Sequence, residues 1–403
     1  MISIVRRLSP CVPWVLVVAA VLLSLSSCSG GDSTLSRIVF SFGEDDIALS
    51  AEATRELERF ESVYLEYASP GADAGDTGQI DHFRDAFKRI RAGYVRQVPD
   101  GRLIDAAIKG VVDINAEPHS LDGPELVETA LDSMMASLDP HSVYFNPEEY
   151  KEMQDSIRGE FGGLGIEVTW EDGLVKVVAP IEDTPAFRAG IKSGDMITAI
   201  DGVPVEGMNL MKAVRLMRGP PGTDIRLTIV RKGVAPFDVA ITRAIIRFKA
   251  VRWRTEGDIG YLRVTRFNEQ VADGVEEAMY AIGEALGPRL KGLVLDLRNN
   301  PGGLFDQSVF VADVFLDDGL IVSVRGRKSE RDRYHDAEAG ELAKGVPMVV
   351  LINSGSASAS EIVASALQEN GRATVLGQRS FGKGSVQNIL PLSAGGALKL
   401  TTQ

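Results

Sequence analysis

The run Asn353-Ser354-Gly355-Ser356-Ala357-Ser358-Ala359-Ser360-Glu361-Ile362 sets several hydroxyls among residues with almost no side chain. The apolar stretch Val346 to Ile352 leads into it, and Ile362, Val363, Ala366 and Leu367 follow at helical spacing. That pattern predicts a strand, a small-residue turn and a helix. A serine at a helix start is commonly a cap, its oxygen accepting from an otherwise unpaired amide. Capping accounts for one hydroxyl. It does not account for a Gly/Ala/Ser run, whose small side chains let another segment approach the backbone.

A serine that attacks a carbonyl needs a base, donors for the oxyanion and a site for the acyl group. Further along lies Phe381-Gly382-Lys383-Gly384, with Gln387 four residues past the lysine. Lysine serves as a base once its pKa, ordinarily about 10.4, falls to roughly 7–8. The glycines around Lys383 permit close approach, and the aromatic and aliphatic neighbours are expected to exclude water. Gln387 can orient the amine without adding a negative charge, which would raise the pKa. Two glycines in Asn300-Pro301-Gly302-Gly303 come directly after a buried-looking strand and free backbone amides to face an anion.

Other chemistries are poorly served. The four histidines, His82, His119, His141 and His335, are widely separated, and His141 sits in an Asp-Pro turn where a structural role is usual. A Ser-His-Asp protease would also need a Gly-x-Ser-Gly turn, which is absent from the serine run. Both cysteines, Cys11 and Cys28, fall in the first 30 residues, leaving no thiol for a disulfide, a zinc site or a nucleophile beyond them. No metal or cofactor is expected. The net charge of −13 argues against nucleic acid as a partner, since phosphate binding needs a basic surface.

The chain of 403 residues has room for several domains. Residues 1–28 read as a signal peptide of lipoprotein type. Arg6 and Arg7 precede an apolar run from Trp14 to Leu25, and Leu25-Ser26-Ser27-Cys28 is similar to a bacterial lipobox, with Cys28 as the lipidated residue. A cleaved signal or a signal anchor would still place the protein in the periplasm or cell envelope. Residues 29–80 read as a linker or tether with one amphipathic segment around Ala51 to Tyr67, and residues 81–158 as a helical N-terminal domain. There Leu103 to Ile108 and Leu126 to Leu131 look like a duplicated helix, and Val112 to Pro124 looks like an insertion. Residues 159–247 change to short strands with glycine turns. Residues 248–403 alternate strands, including Leu320 to Val324, with helices, as an α/β core does. The chain stops inside a strand-like segment, so this core reads as C-terminally truncated.

Residues 159–247 closely resemble a PDZ domain, including Ala189-Gly190-Ile191-Lys192-Ser193-Gly194-Asp195. Such a domain takes a peptide as an added strand and binds its terminal carboxylate in a glycine loop. The resemblance puts Gly162, Gly163, Leu164, Gly165, Ile166 and Val168 at that site. Gly355 to Ile362, Phe381 to Gly384 with Gln387, Asp296 to Gly303 and Leu138 to Ser142 together resemble the carboxyl-terminal (tail-specific) processing peptidases. These are PDZ-containing serine proteases with a Ser–Lys dyad.

The resemblance implies a multidomain α/β protein with a crotonase/ClpP-like protease core. It implies Ser358 as nucleophile, Lys383 as base and Gln387 as the residue that holds the lysine. Oxyanion donors fall on Ala359 and on Gly302 or Gly303. Implied partners are protein substrates with free C-terminal tails, an adaptor protein, and the membrane through a lipid or signal anchor. The alternative reading is a non-catalytic envelope scaffold that holds protein tails through the PDZ domain.

Overall fold

The computed structural model describes residues 48–69, 77–114, 119–181, 183–247, 249–328 and 332–403. The signal peptide, Cys28 and much of the expected tether lie outside the described residues, as do residues 115–118 of the expected insertion.

The amphipathic segment expected around Ala51 to Tyr67 is a helix, so the helical region begins before the expected boundary at residue 81. Ser50 caps helix α1 (Ala51–Tyr67) by accepting from Ala53 N at 3.1 Å. Ala53, Leu57, Phe60 and Tyr64 recur at intervals of three or four and are all buried, the stripe that places a helix on a core. Phe60 stacks on Phe83 of α2 (Thr77–Gly93), with ring centroids 3.6 Å apart. Part of the expected tether therefore belongs to the helical layer. The two look-alike segments become α3 (Asp100–Asp113) and α4 (Gly123–Ala136), which pack on each other. A Cβ at Gly110 would lie 2.0 Å from Ser133 Oγ, so glycine is required at this crossing.

The turn Ser137–Ser142 leads to β1 (Val143–Phe145) and α5 (Pro147–Arg158). Asn146 and Glu149 form a reciprocal capping box at the start of α5, and Gly159 ends it in the left-handed region at φ 73°.

The β-rich region contains β2 (Glu160–Gly163), β3 (Ile166–Glu171), β4 (Leu174–Pro180), the short helix α6 (Pro185–Arg188), β5 (Met196–Ile200) and β6 (Val203–Pro204). Helix α7 (Leu210–Met217), β7 (Asp224–Val230), β8 (Phe237–Thr242) and β9 (Ala244–Arg247) complete it. The main sheet runs β3-β4-β5-β7-β8, with β6 paired to β5. Inward residues such as Val175, Val177, Ile197, Leu227 and Ile229 are fully buried. Strand β3 lies at the edge of the sheet, so among the described residues one side of its backbone has no strand partner. Gly162 and Gly163, expected in the carboxylate loop, instead pair with Ile245 and Ala244 in a separate β2–β9 ladder. Only Leu164 and Gly165 remain as the turn.

The last region holds β10 (Val251–Glu256), β11 (Ile259–Val264), α8 (Val271–Leu286), β12 (Gly292–Asp296), α9 (Phe305–Asp313), β13 (Leu320–Val324) and β14 (Arg333–Asp336). It continues with β15 (Met348–Ile352), α10 (Ala359–Glu369), β16 (Ala373–Gly377), β17 (Gln387–Pro391) and β18 (Ala397–Thr401). Its sheet has the order β10-β11-β12-β15-β16, with β10 antiparallel and the others parallel. Apolar residues such as Leu293, Leu295 and Val350 bury these strands among helix residues Val275, Ile282, Val363 and Leu367. Near-continuous apolar runs are what a covered parallel sheet demands. Strand β13, expected within this sheet, instead forms a hairpin with β14. Strand β18 lies between β17 and β1, joining the end of the described chain to the turn after α4.

Candidate active site

Strands β12 and β15 are parallel neighbours, with Leu293 beside Met348 and Asp296 beside Leu351. Their following loops therefore emerge side by side at one end of the sheet, the end where α/β proteins bind ligands. The two loops are tied together. Asn299 N donates to Asn353 Oδ1 and Asn353 Nδ2 donates to Asn299 Oδ1, each at 2.9 Å. Ser356 Oγ donates to Leu297 O at 2.8 Å, Ser360 Oγ to Asn300 O at 2.9 Å, and Ala357 N to the same Asn300 oxygen at 3.0 Å. Ser356 and Ser360 are fully buried. Two of the hydroxyls in the serine run thus join the loops, each donating to a carbonyl of the glycine-bearing loop so that the buried hydroxyls are themselves satisfied.

Ser358, between them, has φ 55° and ψ −114°. A side chain rarely adopts this backbone, and holding it there costs on the order of 1–3 kcal/mol. A sharp strand-to-helix turn likewise raises the nucleophilic serine of α/β-hydrolases above its sheet. Helix α10 starts at the next residue, so its positive end lies at Ser358.

The glycine turn fits against this serine. A Cβ at Gly302 would stand 2.7 Å from Ala357 O and 3.0 Å from both Ala359 N and Ser358 Cβ. At Gly303 it would stand 2.0 Å from Phe267 O. Gly302 and Gly303 have φ values of 98° and 149°, so glycine is required for conformation as well as for space. Gly302 N donates to Asn300 Oδ1 at 2.9 Å. Among the described residues, the N–H groups of Gly303 and Ala359 have no acceptor.

Lys383 Nζ donates to Gln387 Oε1 at 2.5 Å. Gln387 Nε2 donates in turn to Ser385 Oγ at 2.9 Å and to Thr401 Oγ1 at 3.2 Å. Thr401 Oγ1 donates to Asp139 Oδ1 at 3.2 Å, and Ser142 Oγ donates to Asp139 Oδ2 at 2.7 Å. Because Asp139 takes the Thr401 hydroxyl proton, Thr401 receives the amide NH₂ of Gln387. The carbonyl of Gln387 is thereby turned toward the lysine. The Leu138–Ser142 motif reaches the site through this chain. The His141 side chain does not line the cavity, and only its backbone N–H meets Asp139, at 2.8 Å.

Burial pushes the Lys383 amine below the ordinary lysine range, with the charge of Lys399 adding to the effect and Asp139 opposing it. The aromatic expected to keep Lys383 dry does not do so: Phe381 is 66% exposed. Val386, Ile389 and Lys399 line the cavity into which Lys383 is set.

Ser358, Ala359, Gly302, Gly303, Lys383 and Gln387 all line one cavity of about 810 Å³. Sequence reasoning assigned no role to Glu361, Thr401 or Lys399. The Ser-x-x-Glu spacing of Ser358 and Glu361 is a recognisable helix-start signal. Burial opposes ionisation of the Glu361 carboxyl, but hydrogen bonds from Ser380 and from the backbone N–H groups of Gly382, Lys383 and Ser358 outweigh it and hold the pKa low. Among the described residues, no group of three or more His, Cys, Asp or Glu side chains is arranged to hold a metal.

Residues 258–403 match the model of peptidase family S41, and residues 176–231 match a PDZ domain. The chain is 51% identical over 326 residues to the carboxy-terminal-processing protease of Bartonella bacilliformis, covering 80% of this chain and 70% of that one. The chain belongs to peptidase family S41, as a carboxy-terminal processing serine protease. A second family relative, the carboxy-terminal processing protease CtpA of Bacillus subtilis, is 35% identical over 332 residues, 82% of this chain and 65% of that one. The solved structure of the photosystem II D1 C-terminal processing protease aligns with a TM-score of 0.50 at 27% identity, covering 81% of this chain and 88% of that one. Family membership thus accounts for the order of parts: N-terminal helices, PDZ domain and mixed α/β core.

Proposed function

We propose that this protein hydrolyses polypeptides near their free C-termini through a Ser358–Lys383 dyad. The observation that carries this reading is the strained Ser358 at the head of α10, sharing one cavity with an amine that is partly desolvated and fixed by Gln387. Neutral Lys383 accepts the Ser358 Oγ proton as that oxygen attacks the peptide carbonyl. The amine donates to Gln387 Oε1 in either protonation state, which leaves the neutral form a lone pair for the serine proton. The oxyanion is received by the N–H groups of Ala359 and Gly303, which have no acceptor of their own. Gly302, whose N–H is engaged by Asn300, serves to let the two loops approach. Lys383 then returns the proton to the leaving nitrogen, and water releases the acyl group by the same steps.

The PDZ domain presents the edge of β3, from Ile166 to Glu171, to the substrate tail. The carbonyls of Leu164 and Gly165 are turned inward, accepting from Ala186 N at 2.9 Å and Ile181 N at 2.8 Å. The N–H groups of both residues have no acceptor among the described residues, as a carboxylate site requires. Residues 1–28 direct the chain to the periplasm or cell envelope, with Cys28 lipidated.

Degradation of an unfolded protein tests the dyad. Ser358→Ala and Lys383→Ala should each abolish cleavage, and His141→Ala should retain it. Cleavage that survives Lys383→Ala would refute the lysine base. Anisotropy with a labelled peptide tests the tail site: a free carboxylate should bind roughly tenfold more tightly than its amide. Equal binding removes the proposed loop. Labelling with a radioactive fatty acid should be lost in Cys28→Ala.

A further inference from the structure

We propose that Lys399 is a positioning residue of this site, a second lysine whose ammonium stands beside Lys383 and keeps that amine unprotonated. The inference rests on the dyad reading and concerns how the base is held ready.

The β17–β18 ladder supplies the geometry. Gln387 opposes Thr401, and Ile389 opposes Lys399. Side chains two apart on a strand share a face, so all four residues share one, and the Gln387–Thr401 hydrogen bond confirms that they meet there. Directly opposed Cβ atoms lie about 5 Å apart, and the next pair on that face lies about 7 Å along the strands. Lys399 is therefore one step along the ladder from the residue that holds Lys383, and both lysines line the same cavity. The intervening residues Leu398 and Leu400 are fully buried. This alternation commits Lys399 to the cavity side.

A lysine with a structural role usually pairs with a carboxylate or reaches solvent. Lys399 is partly buried, and among the described residues its ammonium has neither an ion pair nor a hydrogen bond. The carboxylates that face Lys383 are occupied. Asp139, from the turn after α4, accepts from Ser142, Thr401 and the backbone N–H of His141. Glu361, from α10, accepts from Ser380 Oγ and three backbone N–H groups. Asp139 still favours the protonated amine; Gln387 is neutral, and of the cations that line the cavity, Arg266, Arg325 and Lys399, it is Lys399 from β18 whose charge opposes protonation of Lys383. Burial pulls the proton affinity of Lys399 down as well, so it is effective over the pH range in which it remains charged.

The experiment is a pH profile of kcat/KM for the full chain on a quenched peptide, comparing wild type, Lys399→Met and Lys399→Arg. The acid limb of this profile reports the essential base of the free enzyme. Removing the neighbouring cation favours protonated Lys383, so the limb in K399M should rise by about one pH unit. Activity below the limb should fall roughly tenfold and recover at high pH. K399R keeps the cation and should keep the limb at its wild-type position. An unmoved limb in a folded K399M, or a limb in K399R raised by that same amount, overturns the proposal. A purely structural Lys399 would lower the rate at every pH. Cleavage surviving in Lys383→Ala would instead break the dyad reading, so the two failures are distinguishable.

Discussion

Oε2 of Glu361 accepts the backbone N–H of Lys383 at 2.9 Å, and the same oxygen accepts that of Ser358 at 2.7 Å. Oε1 accepts from Ser380 Oγ at 2.7 Å and Gly382 N at 2.6 Å. One carboxylate thus fixes the backbone of the serine turn against that of the lysine loop, where small misplacements carry a large rate cost.

Glu361→Ala should therefore lower kcat by roughly 100-fold and stability by about 2–3 kcal/mol, since hydrogen bonds to a charged group are the stronger kind. Glu361→Gln, which keeps one carbonyl oxygen, should fall between. Steady-state kinetics with thermal melts check both. A wild-type kcat in Glu361→Ala would show that the two loops hold their places without the carboxylate.

Lys383 should be costly to stability as well as essential to activity. Its folded pKa lies below the ordinary lysine value because of burial and the nearby Lys399. In the interval between the folded and unfolded pKa values the unfolded chain binds more protons, so stability rises with pH there. Below that interval the fold carries a partly desolvated ammonium. Lys383→Met should abolish cleavage and raise stability near neutral pH by about 1 kcal/mol, a common outcome when an active-site compromise is removed. The difference from wild type should shrink as pH climbs toward the unfolded lysine value. Melting curves across pH measure it, and a destabilised Lys383→Met at pH 7 contradicts it.

Thr401→Val removes the hydroxyl that accepts from Gln387 and donates to Asp139. Gln387 would then be free to turn its NH₂ toward Lys383. We expect kcat to fall roughly tenfold with KM nearly unchanged, because the lost contact lies behind the base and outside the substrate path. Equal loss in both parameters would argue against this route.

Asp296 anchors the end of β12. Burial pushes its carboxyl upward, but hydrogen bonds from Arg298 and Tyr261 prevail and bring the pKa to about 2. Arg298 contributes Nε at 2.9 Å, Nη2 at 2.6 Å and its backbone N at 3.0 Å, and the Tyr261 hydroxyl donates at 2.5 Å. A depressed folded pKa adds stability that is complete above the unfolded value, about 3.9, and is lost as pH falls toward 2. Asp296→Asn should cost about 3 kcal/mol at pH 7, and the deficit should narrow in acid. Denaturant titrations at pH 7 and pH 3 test this, and a constant deficit would separate Asp296 from the acid transition.

Much of this could be read from residue types alone. Alternation and spacing announce the core strands of the sheet, the helix after the serine run and the short strands of the PDZ region, because side-chain periodicity follows local backbone geometry. Lys383 and Gln387, four residues apart, could be paired as base and holder because they are close in the chain. Tertiary structure decided what depends on distant segments. Leu320 to Val324 has the pattern of a core strand yet pairs with β14, since periodicity does not name a partner strand. Gly302 and Gly303 are alike in sequence, and only Asn300, folding its side chain back onto Gly302 N, separates them. Phe381 looks like a lid but faces solvent, while the orientation of Gln387 is set by Thr401 and Asp139, the latter 262 residues before Thr401. Local sequence determines which groups are present and which face they occupy. Their hydrogen-bond partners, and hence their protonation, are fixed only when remote parts of the chain exclude water around them.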